Sequence, residues 1–200
     1  MIEIKNLSFA RGNNLIFQNI TFMLEQGEIM VLKGPNGQGK TTLLYNVLNF
    51  LEPLEGEILY EGKSIDSYIA SKFFLYIGEE NFAYDDLSLN DNIRYWLALH
   101  NVSLSDDIID KSINFLFSEL NLDNKFYQLS YGQKKKLQLI LLMLVNKPVW
   151  ILDDPFNGLD QVTINKITSL LTKKVENNGL ILISSHQDLA IPNHKIYELK

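Results

Sequence analysis

The N-terminal part of the chain alternates apolar and polar residues in the manner typical of antiparallel strands. Ile2 and Ile4, and then Leu7 and Phe9, alternate with polar residues, so that one face of the segment can be buried. Gly12-Asn13-Asn14 is a turn signal, and Leu15 to Leu24 predicts a returning strand. A further short strand is expected from Gly56 to Gly62. These segments predict an antiparallel β subdomain at the N-terminus.

Short continuous apolar runs predict strands that are buried on both faces. They are Ile29–Lys33, Phe73–Ile77, Val149–Leu152 and Leu180–Ile183, with an added edge strand over Lys195–Leu199. Helical periodicity predicts helices over Thr41–Leu51, Ser88–His100, Asp106–Leu120, Leu129–Val145 and Gln161–Asn177. Strands followed by helices imply a mainly parallel sheet and an α/β fold. We expect one domain in which residues 1–80 and 129–200 form the core and residues 81–128 form an inserted helical subdomain.

The composition narrows the class of protein. A chain of 200 residues with 46% apolar and 21% charged residues is ordinary for a globular domain. The net charge of −6 argues against general nucleic-acid binding, and the absence of cysteine excludes disulfides and thiolate metal sites. Leu137–Val145, the longest apolar stretch, is far shorter than the ~20 residues of a membrane span, and Met1–Lys5 lacks a signal-peptide pattern. We therefore expect a cytoplasmic protein that reaches a membrane only through a partner.

One glycine-rich segment carries the strongest chemical signal in the chain. Gly34-Pro35-Asn36-Gly37-Gln38-Gly39-Lys40-Thr41-Thr42 fits the phosphate-binding pattern G-x-x-x-x-G-K-[ST], between a predicted strand and a predicted helix. Glycines allow backbone N–H groups to close around phosphate oxygens, and a helix N-terminus adds positive potential. Lys40 would then pair with the β- and γ-phosphates, while the Thr41 hydroxyl would bind Mg²⁺. The alternative is an ordinary glycine-rich turn, which the flanking strand and helix disfavour.

A phosphate loop of this kind needs a carboxylate at the end of a neighbouring strand, to hold Mg²⁺ directly or through water. Asp153 follows the apolar run Val149–Leu152 and fits that role. An apolar run that ends in aspartate is weak evidence alone and gains its weight from the phosphate loop. We therefore expect ATP and Mg²⁺ to bind together at this end of the sheet.

Three further segments resemble motifs of the ATP-binding-cassette (ABC) ATPases. Leu129-Ser130-Tyr131-Gly132-Gln133 resembles the signature motif of this family, and it lies shortly before the strand of Asp153. Asn157-Gly158-Leu159-Asp160 resembles the D-loop, and His186 resembles the switch histidine. With the phosphate loop, four motifs occur in the family's order and cover essentially the whole chain. The resemblance implies a P-loop NTPase fold of the ABC type and Mg²⁺-dependent ATP hydrolysis.

The resemblance also implies that ATP is bound at the interface of two head-to-tail domains, so that a homodimer is expected. Lys40 and Thr41 of one copy would then face Ser130 and Gly132 of the other. Ser130 at a helix N-terminus can also be an N-cap only, and this is compatible because capping directs the same donors. For His186 the alternative is an ordinary surface histidine; its position after Ser184-Ser185 at a strand end favours a contact with the γ-phosphate.

Several residues depart from the family pattern. Asp154 stands where the family usually has the glutamate that polarises the attacking water, and its shorter side chain predicts slow hydrolysis with intact binding. Glu80 stands where the family has the Q-loop glutamine, with Glu79 as the alternative, and we expect a stronger Mg²⁺ requirement. Arg11 occupies the place of the aromatic residue that stacks on adenine, and its guanidinium plane can also stack. Tyr131 replaces a glycine, which matters less because the backbone donor at Gly132 remains.

Without a membrane span, the chain most simply resembles the ATPase subunit of a transporter with separate transmembrane permease subunits. The aromatic residues of the insert would offer a groove for a helix of that partner; they are Tyr84, Tyr95, Trp96, Phe115 and Phe117. Within the family the likeness is to the haem-exporter ATPases of cytochrome c maturation, although other small export ATPases share several of the same residues. A DNA-repair protein of this family would need a long coiled-coil or zinc insertion, which the chain lacks. An ATP-dependent scaffold with little hydrolysis stays open because of Asp154 and Glu80.

Overall fold

A computed structural model of the chain describes residues 1–80, 82–186 and 191–199. The strands in these residues are β1 (Ile2–Arg11), β2 (Asn14–Leu24), β3 (Ile29–Lys33), β4 (Glu55–Tyr60), β5 (Lys63–Ser64), β6 (Phe74–Ile77), β7 (Val149–Asp153), β8 (Leu180–Ser185) and β9 (His194–Glu198). The helices are α1 (Lys40–Val47), α2 (Ser67–Phe73), α3 (Leu89–Leu99), α4 (Asp106–Leu116), α5 (Tyr131–Leu139), α6 (Leu141–Leu144) and α7 (Gln161–Glu176), with a 3-10 turn at Phe126–Gln128.

The N-terminal strands form an antiparallel sheet in the order β2-β1-β4-β5. β1 and β2 pair from Ile2 opposite Leu24 to Arg11 opposite Asn14, around the predicted turn. The inward residues Ile2 and Ile4 are completely buried, as the period of two requires. The predicted antiparallel strands are therefore confirmed.

The second sheet has the order β6-β7-β8-β3-β9, and the pairs of β8 with β7 and of β3 with β8 and β9 are parallel. β7 and β8 are buried along their whole length, which explains why their sequences are continuous apolar runs. The register sets Asp153 opposite Ser184 and Lys33 opposite Ser185. The carboxyl ends of β7, β8 and β3 consequently meet at one edge, where ligands bind in open α/β sheets. The predicted α/β fold, including the C-terminal edge strand, is confirmed.

Several helices end differently from the sequence prediction. α1 ends at Val47 instead of Leu51, because Asn49 adopts a left-handed conformation (φ 58°) and the Asn46 side chain donates to the Leu51 carbonyl (2.8 Å). α4 ends at Leu116 instead of Leu120, where Phe117 is already extended. The predicted helix Leu129–Val145 starts two residues later and forms two helices, α5 and α6, that meet at Ile140.

The described residues fall into two units. The first combines Met1–Tyr76, Lys147–Asp154 and Leu171–Lys200, and its core includes the inward faces of β1, β2, β3 and α1. The second combines Ile77–Asn146 and Pro155–Leu170 and is mainly helical. The subdomain bounds predicted from the sequence, with an insert over 81–128, stay a prediction. No helix in the described ranges is both long enough and apolar enough to cross a bilayer.

Candidate functional site

The glycine-rich loop between β3 and α1 has a backbone that only glycine adopts easily. Gly34, Gly37 and Gly39 all have positive φ angles, of 154°, 86° and 88°. A Cβ on Gly39 would lie 2.5 Å from Cγ2 of Ile16, and one on Gly34 would lie 2.6 Å from Oε1 of Gln38. Gly39 also precedes the first residue of α1, so the free N–H groups of the helix start directly after the loop. The loop therefore has both the shape and the donors of an anion cradle.

The Lys40 side chain folds back into this loop. Its Nζ atom donates to the carbonyl oxygens of Gly34 (2.7 Å) and Pro35 (3.1 Å), and the residue is buried. Pro35, Asn36 and Gly37 are exposed at the tip of the loop, whereas Thr41 and Thr42 are half-buried in the first turn of α1. The Lys40 ammonium thus lies inside the loop, where it could exchange these carbonyl oxygens for phosphate oxygens as hydrogen-bond partners.

Asp153 ends β7 and is almost completely buried. Its carboxylate accepts a hydrogen bond from the Ser184 hydroxyl on the adjacent strand β8. Because the order of strands is β7-β8-β3, this carboxylate and the loop that follows β3 lie at the same edge of the sheet. The Ser184 contact orients a hard oxygen ligand of the kind that Mg²⁺ prefers.

Asp154 and His186 form a pair at the same edge. The Nδ1 atom of His186 lies 3.1 Å from Oδ1 of Asp154. The Asp154 backbone N–H donates to Oγ of Ser184 (3.0 Å), and its φ angle is 40°. Asp154 is largely shielded, with 14% of its side chain exposed, and the His186 side chain is 34% exposed. The structure thus brings together the two residues that the sequence nominates for water activation and γ-phosphate contact.

Glu80 lies in the second unit, and its backbone is held by two side chains of α5. Nε2 of Gln138 donates to the Glu80 carbonyl (3.2 Å), and Nζ of Lys135 donates to the Gly78 carbonyl (2.8 Å). Both donors are buried, Lys135 completely. Glu80 and its neighbour Glu79 are themselves exposed. Lys135 stands in the polar run Gln133–Lys136, which gave no sign that its side chain would be buried.

The signature segment begins α5 with a reciprocal cap. The Gln133 N–H donates to Oγ of Ser130 (3.3 Å), while the Ser130 N–H donates to Oε1 of Gln133 (2.9 Å). Leu129 is buried, whereas Ser130 is exposed and Gly132 is half-buried. The cap therefore holds an exposed serine hydroxyl at the positive end of a helix.

Asp160 of the D-loop caps α7 through its side chain. Its Oδ1 accepts from the Thr163 N–H (2.8 Å), and its Oδ2 lies 2.6 Å from Nζ of Lys136. The Lys136 ammonium, together with the Thr163 N–H, holds the pKa of the Asp160 carboxyl well below its usual range. The D-loop is thus tied to the same helix that carries the signature segment.

The sequence predicts that Arg11 stacks on adenine, and it gives no indication that Ile16 contacts the phosphate loop. Arg11 is exposed at the end of β1, opposite Asn14. Ile16 of β2 is half-buried and touches the loop at Gly39, as does the buried Phe17. The alternation along β2 indicates that successive side chains lie on opposite faces of the strand. It does not indicate which residues each face contacts, so the contact of Ile16 with the loop could not be inferred from it.

Comparison with known proteins agrees with this arrangement. The ABC transporter family matches residues 17–157 of the chain. A cytochrome c biogenesis ATP-binding export protein, CcmA, of Reclinomonas americana is 37% identical over 194 residues, which cover 95% of this chain and 86% of that protein. A solved structure from Pyrococcus furiosus, described as an ABC transporter ATP-binding protein, superposes on this chain with a TM-score of 0.86. The two sequences are 29% identical, and the match covers 99% of this chain and 96% of that one.

A third similarity concerns the fold alone. The ATP-binding cassette MJ0796, solved as a dimer in a post-hydrolysis state with ADP and phosphate, has a TM-score of 0.84 at 23% identity. The match covers 100% of this chain and 94% of that one. The family match, the close relative and the shared fold support one conclusion. The chain belongs to the ABC transporter family, as an ATP-binding subunit that hydrolyses ATP.

Proposed function

We propose that this chain is the ATPase subunit of an export complex of cytochrome c biogenesis, the haem exporter that the sequence resembles. The observation that carries the ATPase role is the Lys40 ammonium, buried inside a loop of left-handed glycines. The relative from Reclinomonas americana, named for cytochrome c biogenesis and ATP-dependent export, supports the biological role.

In this proposal the nucleotide phosphates replace the carbonyl oxygens as partners of Lys40. Thr41 and Asp153 hold Mg²⁺, and both are hard oxygen donors that suit this ion. The Ser184 hydroxyl orients the Asp153 carboxylate. Glu80 supplies a further carboxylate, and Arg11 at the end of β1 stacks on adenine. When bound, Mg²⁺ neutralises charge on the phosphates.

Hydrolysis is assigned to the pair of Asp154 and His186. Asp154 accepts a proton from the attacking water or orients that water, and His186 contacts the γ-phosphate. The 3.1 Å approach of the two side chains supports a joint role. Because the aspartate is one methylene shorter than glutamate, we expect turnover to be slow.

Two copies assemble head to tail in this proposal, with ATP between them. The exposed Ser130 hydroxyl and the Gly132 N–H of one copy meet the γ-phosphate bound by Lys40 of the other. The dimeric state of the related fold with ADP and phosphate supports this arrangement. ATP then joins the two subunits, and hydrolysis releases them.

A groove in the second unit is assigned to the permease. The groove has a cavity of about 460 Å³ lined by Phe82, Ala83, Tyr84, Tyr95 and Leu99, and all of these except Ala83 are large, exposed residues. Two of the aromatic residues nominated from the sequence, Tyr84 and Tyr95, line this groove, whereas Trp96 and Phe117 are buried. Exposed aromatic surface of this kind is typical of protein interfaces. Through this partner the chain lies on the inner face of the membrane.

Release of phosphate by the purified protein tests the ATPase role. Lys40→Ala should abolish Mg²⁺-dependent release, while Lys63→Ala, which removes an exposed lysine of β5, should leave it unchanged. Release that persists in Lys40→Ala would refute the assignment of the loop.

Co-purification with detergent-extracted membrane protein tests the export role. The wild type should retain transmembrane permease subunits of cytochrome c biogenesis. Leu99→Glu in the groove should release them, whereas Leu15→Glu, at an exposed leucine of the first unit, should not. Recovery of permease subunits of another transport system would redirect the assignment to another small exporter.

An ATP-dependent scaffold is the second candidate, because Asp154 replaces the usual glutamate. Such a protein would bind ATP and dimerise but release phosphate only slowly. ATP-dependent dimerisation accompanied by little turnover, measured by light scattering and phosphate release on one sample, would favour the scaffold.

A further inference from the structure

The aromatic ring of Tyr131 covers a glycine of the D-loop. A Cβ added to Gly158 would lie 2.6 Å from both Cδ1 and Cε1 of Tyr131. Real Cβ atoms do not approach ring carbons so closely, so the ring lies directly on the glycine backbone. Tyr131 is 47% exposed, which means that it covers the loop from the solvent side and is not part of a core.

The contact is reciprocal, because the next residue of the signature segment also meets Gly158. A Cβ added to Gly132 would lie 2.6 Å from the Gly158 carbonyl oxygen. The backbones of the two segments can approach this far only because both positions are glycine. Gly158 is therefore confined between the Tyr131 ring and the start of α5.

A second tie holds the other end of the D-loop. Asp160 pairs with Lys136 of α5 and also caps α7 through Thr163. Tyr131 and Lys136 thus contact the loop at two points, Gly158 and Asp160. The two contacting residues lie more than one turn apart on the same helix. All of these residues belong to the second unit.

From this geometry we propose that Tyr131 is a positioning residue for ATP turnover, which acts by holding the D-loop, residues 157–160, in register with Ser130. The inference rests on the proposed function in one respect, namely that Ser130 faces the nucleotide bound by a second copy. Because the D-loop touches the residue next to Ser130, it belongs to the same face of the subunit. A flexible glycine at position 131 would leave the loop without this support, whereas the rigid ring moves the loop together with α5.

Removal of the ring should affect turnover more than nucleotide binding. The phosphate loop that binds ATP lies in the first unit and is intact in Tyr131→Gly. Alignment of reacting groups is sensitive to displacements of ~1 Å, which can cost ~10²-fold in rate. We expect Tyr131→Gly to lower kcat about tenfold with little change in KM, and Tyr131→Phe to retain a higher kcat than Tyr131→Gly.

A double-mutant cycle tests the contact without reference to activity. Gly158→Ala in the wild-type background should lower the folding equilibrium constant by about tenfold or more, since overpacking adds to the backbone strain. In the Tyr131→Gly background the same change should cost only the strain of a positive φ angle. Gly62→Ala measures that strain alone, because Gly62 has the same φ of 74° as Gly158 and no atom within 4 Å of the added Cβ. Urea unfolding of the four variants and of Gly62→Ala provides the measurement, and Gly62→Ala should leave turnover unchanged.

The possible outcomes are distinct. Equal costs of Gly158→Ala in both backgrounds would overturn the contact. A coupling in the cycle with an unchanged kcat in Tyr131→Gly would overturn the positioning role and leave a structural contact. An inactive but ATP-binding wild type would instead refute the proposed function, and the positioning role with it. Coupling together with a selective fall in kcat supports the proposal.

Discussion

Nδ1 of His186 lies 3.1 Å from Oδ1 of Asp154, although the two residues are 32 positions apart in the chain. The approach follows from the register of two strands, which places Asp153 of β7 opposite Ser184 of β8. Ser184 contributes further, since its carbonyl and its hydroxyl both accept from the Asp154 N–H (3.2 and 3.0 Å). The pairing of strands β7 and β8 therefore brings the Asp154 and His186 side chains together.

Asp154 and His186 should behave as one catalytic unit. We expect Asp154→Asn and His186→Ala each to lower phosphate release strongly, and the double variant to lose little more than either single one, because groups that act together are non-additive. Losses that multiply in the double variant would show that the two residues act separately. Equilibrium binding of ATP, measured in parallel, separates a loss of binding from a loss of turnover.

Asp154→Glu should hydrolyse ATP faster than the wild type, by up to ~10²-fold, because the longer side chain reaches closer to the water. The left-handed backbone at this position (φ 40°) suits aspartate better than glutamate, at a difference of about 1 kcal/mol. The variant should therefore be faster and slightly less stable, as measured by phosphate release and urea unfolding. Turnover no faster than that of the wild type would contradict the proposal that the short side chain of Asp154 limits hydrolysis.

Glu80→Gln should make turnover less dependent on Mg²⁺. The proposed site then carries one negatively charged carboxylate fewer, which is the group expected to strengthen the Mg²⁺ requirement. A titration of phosphate release against Mg²⁺ concentration measures this dependence. Glu79→Gln is the matched control, since it removes the adjacent exposed carboxylate. If Glu79→Gln alone changed the titration, the Q-loop position would be residue 79; identical titrations for all three proteins would remove both carboxylates from the site.

Lys135→Met should destabilise the protein by about 1–3 kcal/mol, because the Gly78 carbonyl loses its buried donor. Methionine retains most of the apolar stem, so that the change reports mainly on the ammonium. Lys111→Met is the control, since Lys111 is exposed and pairs only one turn away with Asp107; it should stay within about 0.5 kcal/mol of the wild type. Urea unfolding that gave the same free energy for both variants would contradict a role for the buried contact.

The pair of Asp160 and Lys136 predicts a dependence of stability on pH. The pKa of Asp160 is lowered in the folded state. Its contribution to the free energy of unfolding is therefore fully present above the ordinary carboxyl pKa of about 4, and it is lost as the pH falls from there through the folded pKa. Asp160→Asn keeps a capping oxygen for α7 and removes the charge. Between pH 7 and pH 3 the urea midpoint of the wild type should fall further than that of Asp160→Asn. Because the carboxylate is exposed, the difference should be small and should shrink in high salt; parallel pH curves would exclude the pair as a source of stability.

The strands and the phosphate loop could be predicted because their signals are local. The continuous apolar run of β3 and the glycines at positions 34, 37 and 39 lie within a dozen residues of one another. Helix ends were less predictable, since Asn49 ends α1 through a left-handed conformation that asparagine tolerates but does not require. The burial of Lys135 could not be predicted, because its helix neighbours give no information about the Gly78 carbonyl that accepts its hydrogen bond.

The sequence by itself determined the family and the α/β class, and it nominated the residues proposed to bind phosphate, because these depend on residue types at short spacing. Only the tertiary structure decided that Asp154 meets His186 and that the ring of Tyr131 lies on Gly158. Both contacts join segments that are distant in the chain, and strand register or helix packing sets their distances. Periodicity specifies which face of an element is apolar, but the partner of each polar group is set by which elements become neighbours.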